Sequence, residues 1–169
     1  MKRNRNHVGG LVFASFFFFG HVQAATLDDA ECLALNMYFE ARDQGTAGML
    51  AVSHVVLNRV RHERFPDTIC EVIKQGPVRE SWKKNGVYHP IRNRCQLSWW
   101  CDGKSDVPRN KKLYKRLLSI AEIIISGGHP IDISDGALFY HAHWVTPAWS
   151  GTKHRTTRIG DHIFYRIAK

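Results

Sequence analysis

The 169-residue chain lacks any apolar run long enough to cross a membrane. Its longest apolar segment, LVFASFFFFG from Leu11 to Gly20, is well short of the roughly 20 residues that span a bilayer. Basic residues precede this run, and small residues ending at Ala25 follow it, which is typical of a secretory signal. We therefore expect residues 1–25 to be removed and residues 26–169 to form an exported domain that is not held at a membrane.

Acidic residues are fewer than basic ones, with 15 Asp and Glu against 24 Lys and Arg. Three basic residues would leave with the signal, which takes the formal net charge from +9 to +6. A basic exported protein should meet anionic polymers such as those of the cell wall, whereas export argues against nucleic acid. A solvated basic face without a specific partner is the alternative. The mature length suits one compact domain, and we expect a monomer.

The sequence contains no Cys-x-x-Cys pair and no His-Glu-x-x-His helix, two common sources of zinc ligands. In an oxidising compartment the four cysteines predict disulfide bonds, and they permit three pairings. We favour Cys95 with Cys101, because they are close in a loop-rich stretch, which leaves Cys32 with Cys70. We expect no metal and no cofactor.

Apolar periodicity and capping signals predict four helices, over about Asp28–Arg42, Thr46–Arg61, Ile69–Lys74 and Lys111–Ser126. Between Gly76 and Asn110 no period is sustained, and the aromatic content indicates an ordered loop. A strand over Ala137–Tyr140 and a hairpin turning at Gly160-Asp161 are predicted after it. Helices followed by a small antiparallel sheet indicate a single α+β domain with a helical core.

A carboxylate stands beside the apolar stripe of the first helix, in LALNMYFEAR. At about 100° per residue, the stripe contains Ala30, Leu33, Met37 and Ala41. Glu40 lies at its edge, where partial burial should raise the pKa of the carboxyl group. A general acid that protonates a glycosidic oxygen needs this property. An ion pair of Glu40 with Arg42 or Arg59 in a packed core is the alternative.

Four segments in order resemble the spore cortex-lytic enzyme and cell wall hydrolase family. They are NMYFEARDQGTAGMLAVSHVVLNRVRHERFPDTICEVI, CQLSWWCDG, ALFYHAHWVTPAW and RIGDHIFYR, within about Ala30 to Arg166. The resemblance implies a peptidoglycan glycosidase with a lysozyme-like or lytic-transglycosylase-like core, in which Glu40 is the catalytic acid. Phe39 and Leu97 stand where many members have Gly and Phe, which bears on substrate fit rather than on the reaction.

A second catalytic group is not identified by the sequence. Many glycosidases use two carboxylates, and Asp43, Asp102 and Asp161 are the candidates. A lytic transglycosylase needs one, because the same glutamate donates a proton to the leaving oxygen and then takes the proton of the muramic acid C6 hydroxyl. We favour this route over attack by water, largely because of the resemblance.

Glycan binding requires polar groups beside aromatic rings. Gln96 and Ser98 are two residues apart, so an extended segment would point both the same way. Further candidates lie on the first helix and at the end of the predicted strand: Tyr38, Tyr140, His141 and His143. For each of these residues, a hydrogen bond within the core or a loop is the alternative.

Two other classes of protein stay open. The His141-x-His143 spacing puts two rings on one side of a strand, so with His54, His129 or Asp102 it predicts a zinc peptidase or amidase as the alternative enzyme. A non-catalytic wall-binding module is the other alternative, and substitution of Glu40 would not change its binding.

Overall fold

The computed structural model describes residues 27–128 and 131–168, so the predicted export signal lies outside the described residues. The helices are α1 (Leu27–Ala41), α2 (Gly45–Val60), α3 (Ile69–Lys74) and α4 (Lys111–Ile125). The strands are β1 (Val78–Glu80), β2 (Tyr88–Pro90), β3 (Phe139–Ala142), β4 (Lys153–Ile159) and β5 (His162–Ile167). The predicted α+β class is confirmed. None of the described helices has both the length and the apolar character that crossing a membrane requires.

Helix α1 is the centre of the larger of two apolar cores. Its predicted stripe is buried, with Leu33 and Met37 fully inaccessible to solvent. These side chains pack among α2, α3 and α4, where Ile73 and Leu117 are also fully buried. Because burial of such side chains is the main stabilising contribution to folding, α1 fixes the arrangement of the other helices.

Helix α2 connects the helices to the sheet. It is buried on nearly every side, as its composition predicts. Val56 belongs to the helical core, whereas Val52 and Val55 pack in a second core with Phe164 of β5. One helix therefore contributes to both cores.

The C-terminal sheet is antiparallel and has the strand order β3-β5-β4. The β4–β5 hairpin turns at Gly160, which has a φ of +56°, where the sequence predicts it. Strand β3 begins at Phe139, two residues later than predicted. The side chains of Asn58 and Arg59 on α2 donate to the carbonyl oxygens of residues 137 and 138, at 3.1 and 2.8 Å. Side chains of α2 therefore form hydrogen bonds with the two carbonyl groups just before β3.

The stretch predicted as an ordered loop, Gly76–Asn110, contains short regular elements. Strands β1 and β2 pair as an antiparallel ribbon, and Ser98–Cys101 forms a 3₁₀ turn. All six residues of the ribbon strands are exposed. They lack the alternation of apolar and polar residues by which a half-buried strand is recognised, which is why the ribbon was not predicted.

Both predicted disulfide bonds are present, and the described part of the chain has no free cysteine. Cys32–Cys70 joins α1 to α3. The N–H of Cys70 also donates to the Asp29 carboxylate at 3.2 Å. Cys95–Cys101 closes the short loop that contains the 3₁₀ turn.

Replacing Cys32 and Cys70 together by alanine should destabilise the fold more than replacing Cys95 and Cys101. The bonds join residues 38 and 6 positions apart. Loop-closure entropy in the unfolded chain then predicts losses of about 4 and about 2 kcal/mol in the free energy of unfolding. Urea unfolding of the two double variants measures both losses. Equal losses, or a larger loss for the short loop, would contradict this expectation.

Candidate active site

Glu40 lies in the last turn of α1, where the helix leaves the core. Its neighbours Met37 and Ala41 on the apolar stripe are buried, and Glu40 itself is only partly exposed. Burial has the largest effect on the carboxyl group and raises the pKa of Glu40 above its ordinary value. The group can therefore retain a proton at a higher pH than a surface glutamate can.

The Tyr140 hydroxyl donates a hydrogen bond to Oε2 of Glu40 at 3.0 Å. Tyr140 comes from β3 and packs against His162 and Phe164 of β5. Burial, followed by the negative charge of Glu40, raises the pKa of Tyr140 well above its ordinary value, so the phenol keeps its proton. The hydrogen bond stabilises the carboxylate and thus lowers the pKa of Glu40, against the effect of burial.

Arg59 is a buried positive charge near these two side chains. It is 3% exposed, its Nε donates to the carbonyl of Leu138, and its guanidinium lies over the Phe65 ring at 5.2 Å. Its charge is a further influence that lowers the pKa of Glu40. Among the described residues no direct ion pair joins Glu40 to Arg59 or Arg42. Glu40 is therefore hydrogen-bonded to a tyrosine and is not a member of a core salt bridge.

A cleft of about 850 Å³ opens beside Glu40. The end of α1, the 3₁₀ turn and the loop before α4 form its walls. Its lining residues are Tyr38, Phe39, Glu40, Arg42, Ser98, Trp99, Asp102, Lys104, Ser105, Asp106, Val107, Pro108, Arg109 and Lys111. Phe39 and Trp99 stack with their ring centres 5.0 Å apart. A carboxyl group with a raised pKa thus faces a cleft that contains both aromatic and hydrogen-bonding groups.

The predicted substrate-binding residues are divided between the cleft and other places. Ser98 lines the cleft, but Gln96 is exposed and is not part of its lining. The 3₁₀ turn begins at Ser98, so the two residues do not share one extended segment. Tyr38 also lines the cleft, yet it is 3% exposed and its hydroxyl accepts the N–H of Asn110 at 3.0 Å.

The two histidines of the His-x-His pair have separate partners. His141 is on the opposite face of β3 from Tyr140, and its Nε2 is 3.0 Å from the Tyr165 hydroxyl. Nε2 of His143 lies 3.5 Å from the Asp161 carboxylate. Within residues 27–128 and 131–168, no group of three or more His, Cys, Asp or Glu side chains is arranged to hold a metal ion. His129 lies outside the described residues.

Of the candidate second carboxylates, Asp102 lines the cleft. The backbone N–H of Lys104 lowers the pKa of Asp102. Asp43 is exposed beside Arg42 at 3.6 Å, and Asp161 accepts a hydrogen bond from Gln44 at 3.0 Å. Asp43 and Asp161 do not line the cleft.

Sequence reasoning did not identify the loop before α4 as a wall of the cleft. Asp106 is partly buried there, which together with the charge of Asp102 raises the pKa of Asp106. Arg109 and Lys111 continue the wall to the start of α4. The run of charged residues and prolines marks a loop, but nothing in its pattern relates it to Glu40.

Comparison with known proteins finds a match to the Cell Wall Hydrolase family over residues 43–165. The matched range begins three residues after Glu40, so the match itself carries no information on that residue. The spore cortex-lytic enzyme of Oceanobacillus iheyensis is 29% identical over 143 residues, which cover 84% of this chain and 43% of the relative. The enzyme of the same description from Bacillus subtilis is 27% identical over 138 residues, covering 81% and 37%. The chain spans less than half the length of these relatives.

Two solved structures have a similar fold. The catalytic domain of the germination-specific lytic transglycosylase SleB from Bacillus anthracis superimposes with a TM-score of 0.58 at 25% identity, covering 85% of this chain and 98% of that domain. The catalytic domain of the Bacillus cereus SleB protein gives a TM-score of 0.58 at 26% identity, covering 85% and 94%. The described fold is thus similar to nearly the whole of each catalytic domain.

Substituting Glu40→Gln should raise the thermal stability of the protein at neutral pH. A carboxyl group whose pKa is raised by folding destabilises the native state as pH rises from the unfolded value to the folded value, and the loss persists above it. Glutamine keeps an acceptor for Tyr140 but cannot ionise. The difference in Tm between the variant and the wild type should vanish below the ordinary pKa of 4.5. A variant that is less stable at neutral pH would contradict the raised pKa.

Proposed function

Because the chain belongs to the cell wall hydrolase family, we propose that it is a glycosidase that cleaves the glycan strands of peptidoglycan, with Glu40 as its catalytic acid and base. The observation that carries this proposal is the hydrogen-bonded Glu40 carboxyl group at the wall of an 850 Å³ cleft. The similar spore cortex-lytic enzymes and SleB domains support the substrate class.

Glu40 begins the reaction as the proton donor. Its partly buried carboxyl group holds the proton, and transfer to the glycosidic oxygen accompanies breakage of the bond between that oxygen and C1 of muramic acid. Positive charge then develops on the sugar ring while Glu40 becomes a carboxylate. The Tyr140 hydroxyl, which already donates to Oε2, stabilises this carboxylate.

The carboxylate of Glu40 completes the reaction as the base. It takes the proton of the C6 hydroxyl of the same muramic acid while the C6 oxygen bonds to C1, which closes a 1,6-anhydro ring. Glu40 is protonated again and no water is consumed. One carboxyl group can therefore serve both half-reactions, and this lytic transglycosylase route is the one we favour.

Hydrolysis is the second possible outcome in the same cleft, because Asp102 and Asp106 also line it. Either carboxylate would have to activate water on the far side of the sugar ring from Glu40. The pKa of Asp102 is lowered and that of Asp106 is raised, so Asp106 is the stronger base of the two.

The protein acts at the cell wall after export. Residues 1–25 act as an export signal, and residues 26–169 form the catalytic domain, which works at the cell wall as a monomer without a cofactor. The two disulfide bonds support an oxidising location. Ser98 and Tyr38 are the predicted substrate-binding residues that line the cleft, while Gln96, His141 and His143 would act from outside its lining.

Mass spectrometry of the soluble products from purified peptidoglycan tests the reaction. The wild type should release fragments that end in 1,6-anhydro-muramic acid, with or without a chelator. Glu40→Gln should lower their rate of release by roughly 10²–10⁴-fold, the usual contribution of a positioned acid or base. Reducing ends in place of anhydro ends would indicate hydrolysis. Cut peptides that disappear with chelator would indicate the zinc alternative. Binding of peptidoglycan that is the same for the wild type and Glu40→Gln, with no products from either, would indicate a binding module.

The pH dependence of kcat/KM tests the role of Tyr140. Activity should fall on the alkaline side as Glu40 loses its proton. Tyr140→Phe removes the hydrogen bond that lowers the pKa of Glu40, so this decline should move to higher pH. Tyr165→Phe, which removes a hydroxyl bonded to His141, is the matched control and should leave the alkaline limb in place. If Tyr140→Phe leaves the alkaline limb of the kcat/KM profile in place, Tyr140 does not influence the ionisation of Glu40.

A further inference from the structure

The wall of the cleft before α4 carries two cationic side chains. Arg109 and Lys111 line the cleft and are exposed. Neither forms an ion pair with any described residue, whereas Lys104 lies 3.4 Å from Asp102 and Arg42 lies 3.6 Å from Asp43. Two positive charges are thus free to meet an anionic group in the cleft.

The residue between these cations is fixed to the helix that carries the catalytic glutamate. The N–H of Asn110 donates to the Tyr38 hydroxyl at 3.0 Å, and Tyr38 is two positions before Glu40 on α1. The Asn110 side chain also accepts the N–H of Leu113 at 3.0 Å, which begins α4. The backbone bearing Arg109 and Lys111 therefore holds a fixed position relative to Glu40.

The position of these charges is unfavourable for the helix itself. The first turn of α4 contains no acidic residue, although the positive end of the helix dipole favours acidic side chains there. Lys111 adds a positive charge at that end. Residues that oppose a local preference are expected at functional sites.

We propose that Arg109 and Lys111 bind the carboxylates attached to muramic acid, and that they select an anionic glycan over a neutral one. This inference rests on the proposed function. N-acetylmuramic acid differs from N-acetylglucosamine by a lactyl group, whose carboxyl is either free or joined through an amide bond to an acidic stem peptide. A neutral chitin-type strand offers no such group. Both cations therefore act as specificity-determining residues, and Glu40 performs the chemistry.

Steady-state kinetics on soluble glycan–peptide strands tests the inference. The strands are used as isolated and after their carboxyl groups have been converted to neutral amides with carbodiimide and ethanolamine. The double variant Arg109→Gln/Lys111→Gln is compared with Lys115→Gln/Arg116→Gln, which removes the same charge from α4 outside the cleft lining. Because both double variants lose two positive charges, a difference in KM between them reports on the cleft and not on the overall charge of the protein.

Amidation should raise the KM of the wild type about two- to thirtyfold, the range expected for two exposed ion pairs, with little change in kcat. Arg109→Gln/Lys111→Gln should show this raised KM on untreated strands and no further rise on amidated ones. The KM of the wild type should also increase with salt, and that of the variant should increase less. The control variant should behave as the wild type in all three respects.

Three results would overturn the inference. The wild type could show the same KM on untreated and amidated strands, or Arg109→Gln/Lys111→Gln could still prefer untreated strands as strongly as the wild type does. The control variant could also show a rise in KM equal to that of Arg109→Gln/Lys111→Gln. Binding of fluorescent strands to the Glu40→Gln protein, with and without the double substitution, gives a readout that needs no turnover. The wild type could cleave neither kind of strand while Glu40→Gln still binds untreated strands more tightly than amidated ones, and does so only with Arg109 and Lys111 in place. That result would contradict the proposed function but not the selection of anionic strands.

Discussion

The hydrogen bond between Tyr140 and Glu40 is the contact on which the site depends, because it joins helix α1 to the C-terminal sheet. Its partners are 100 residues apart, one at the end of a helix and the other on a strand. The bond exists because α2 packs against α1 on one side and, through Asn58 and Arg59, holds the chain entering β3 on the other.

The electrostatics of the site follow from this arrangement. Burial favours the protonated form of Glu40, whereas the Tyr140 hydroxyl and the Arg59 charge favour the carboxylate. The site therefore stabilises both forms of the carboxyl group. An acid that must later serve as a base needs this balance, since a strongly apolar site would keep the proton and a strong ion pair would never take it up.

The sequence predicts the parts of this protein that local patterns control. The stripe of α1 identifies both the core and the unusual place of Glu40, and Gly160 marks the hairpin. The exposed ribbon has no such pattern, and the carbonyl contacts of Asn58 and Arg59 decide where β3 begins. Which surfaces face Glu40 is a tertiary property: Tyr140 was a candidate for other reasons, and Asp106, Arg109 and Lys111 were not recognised. Ser98 and Gln96 were paired on the assumption of an extended segment that the 3₁₀ turn interrupts.

The ribbon formed by β1 and β2 differs from the rest of the molecule in how little it contributes to the cores. Its strands pair with each other, all six of their residues are exposed, and Trp82 at the connection is 88% exposed. An exposed tip of this kind is where chains tolerate insertions and where proteases cut first. For protein engineering, the connection between β1 and β2 is thus the place to insert a tag or a second targeting module, since neither core has to be rebuilt around it.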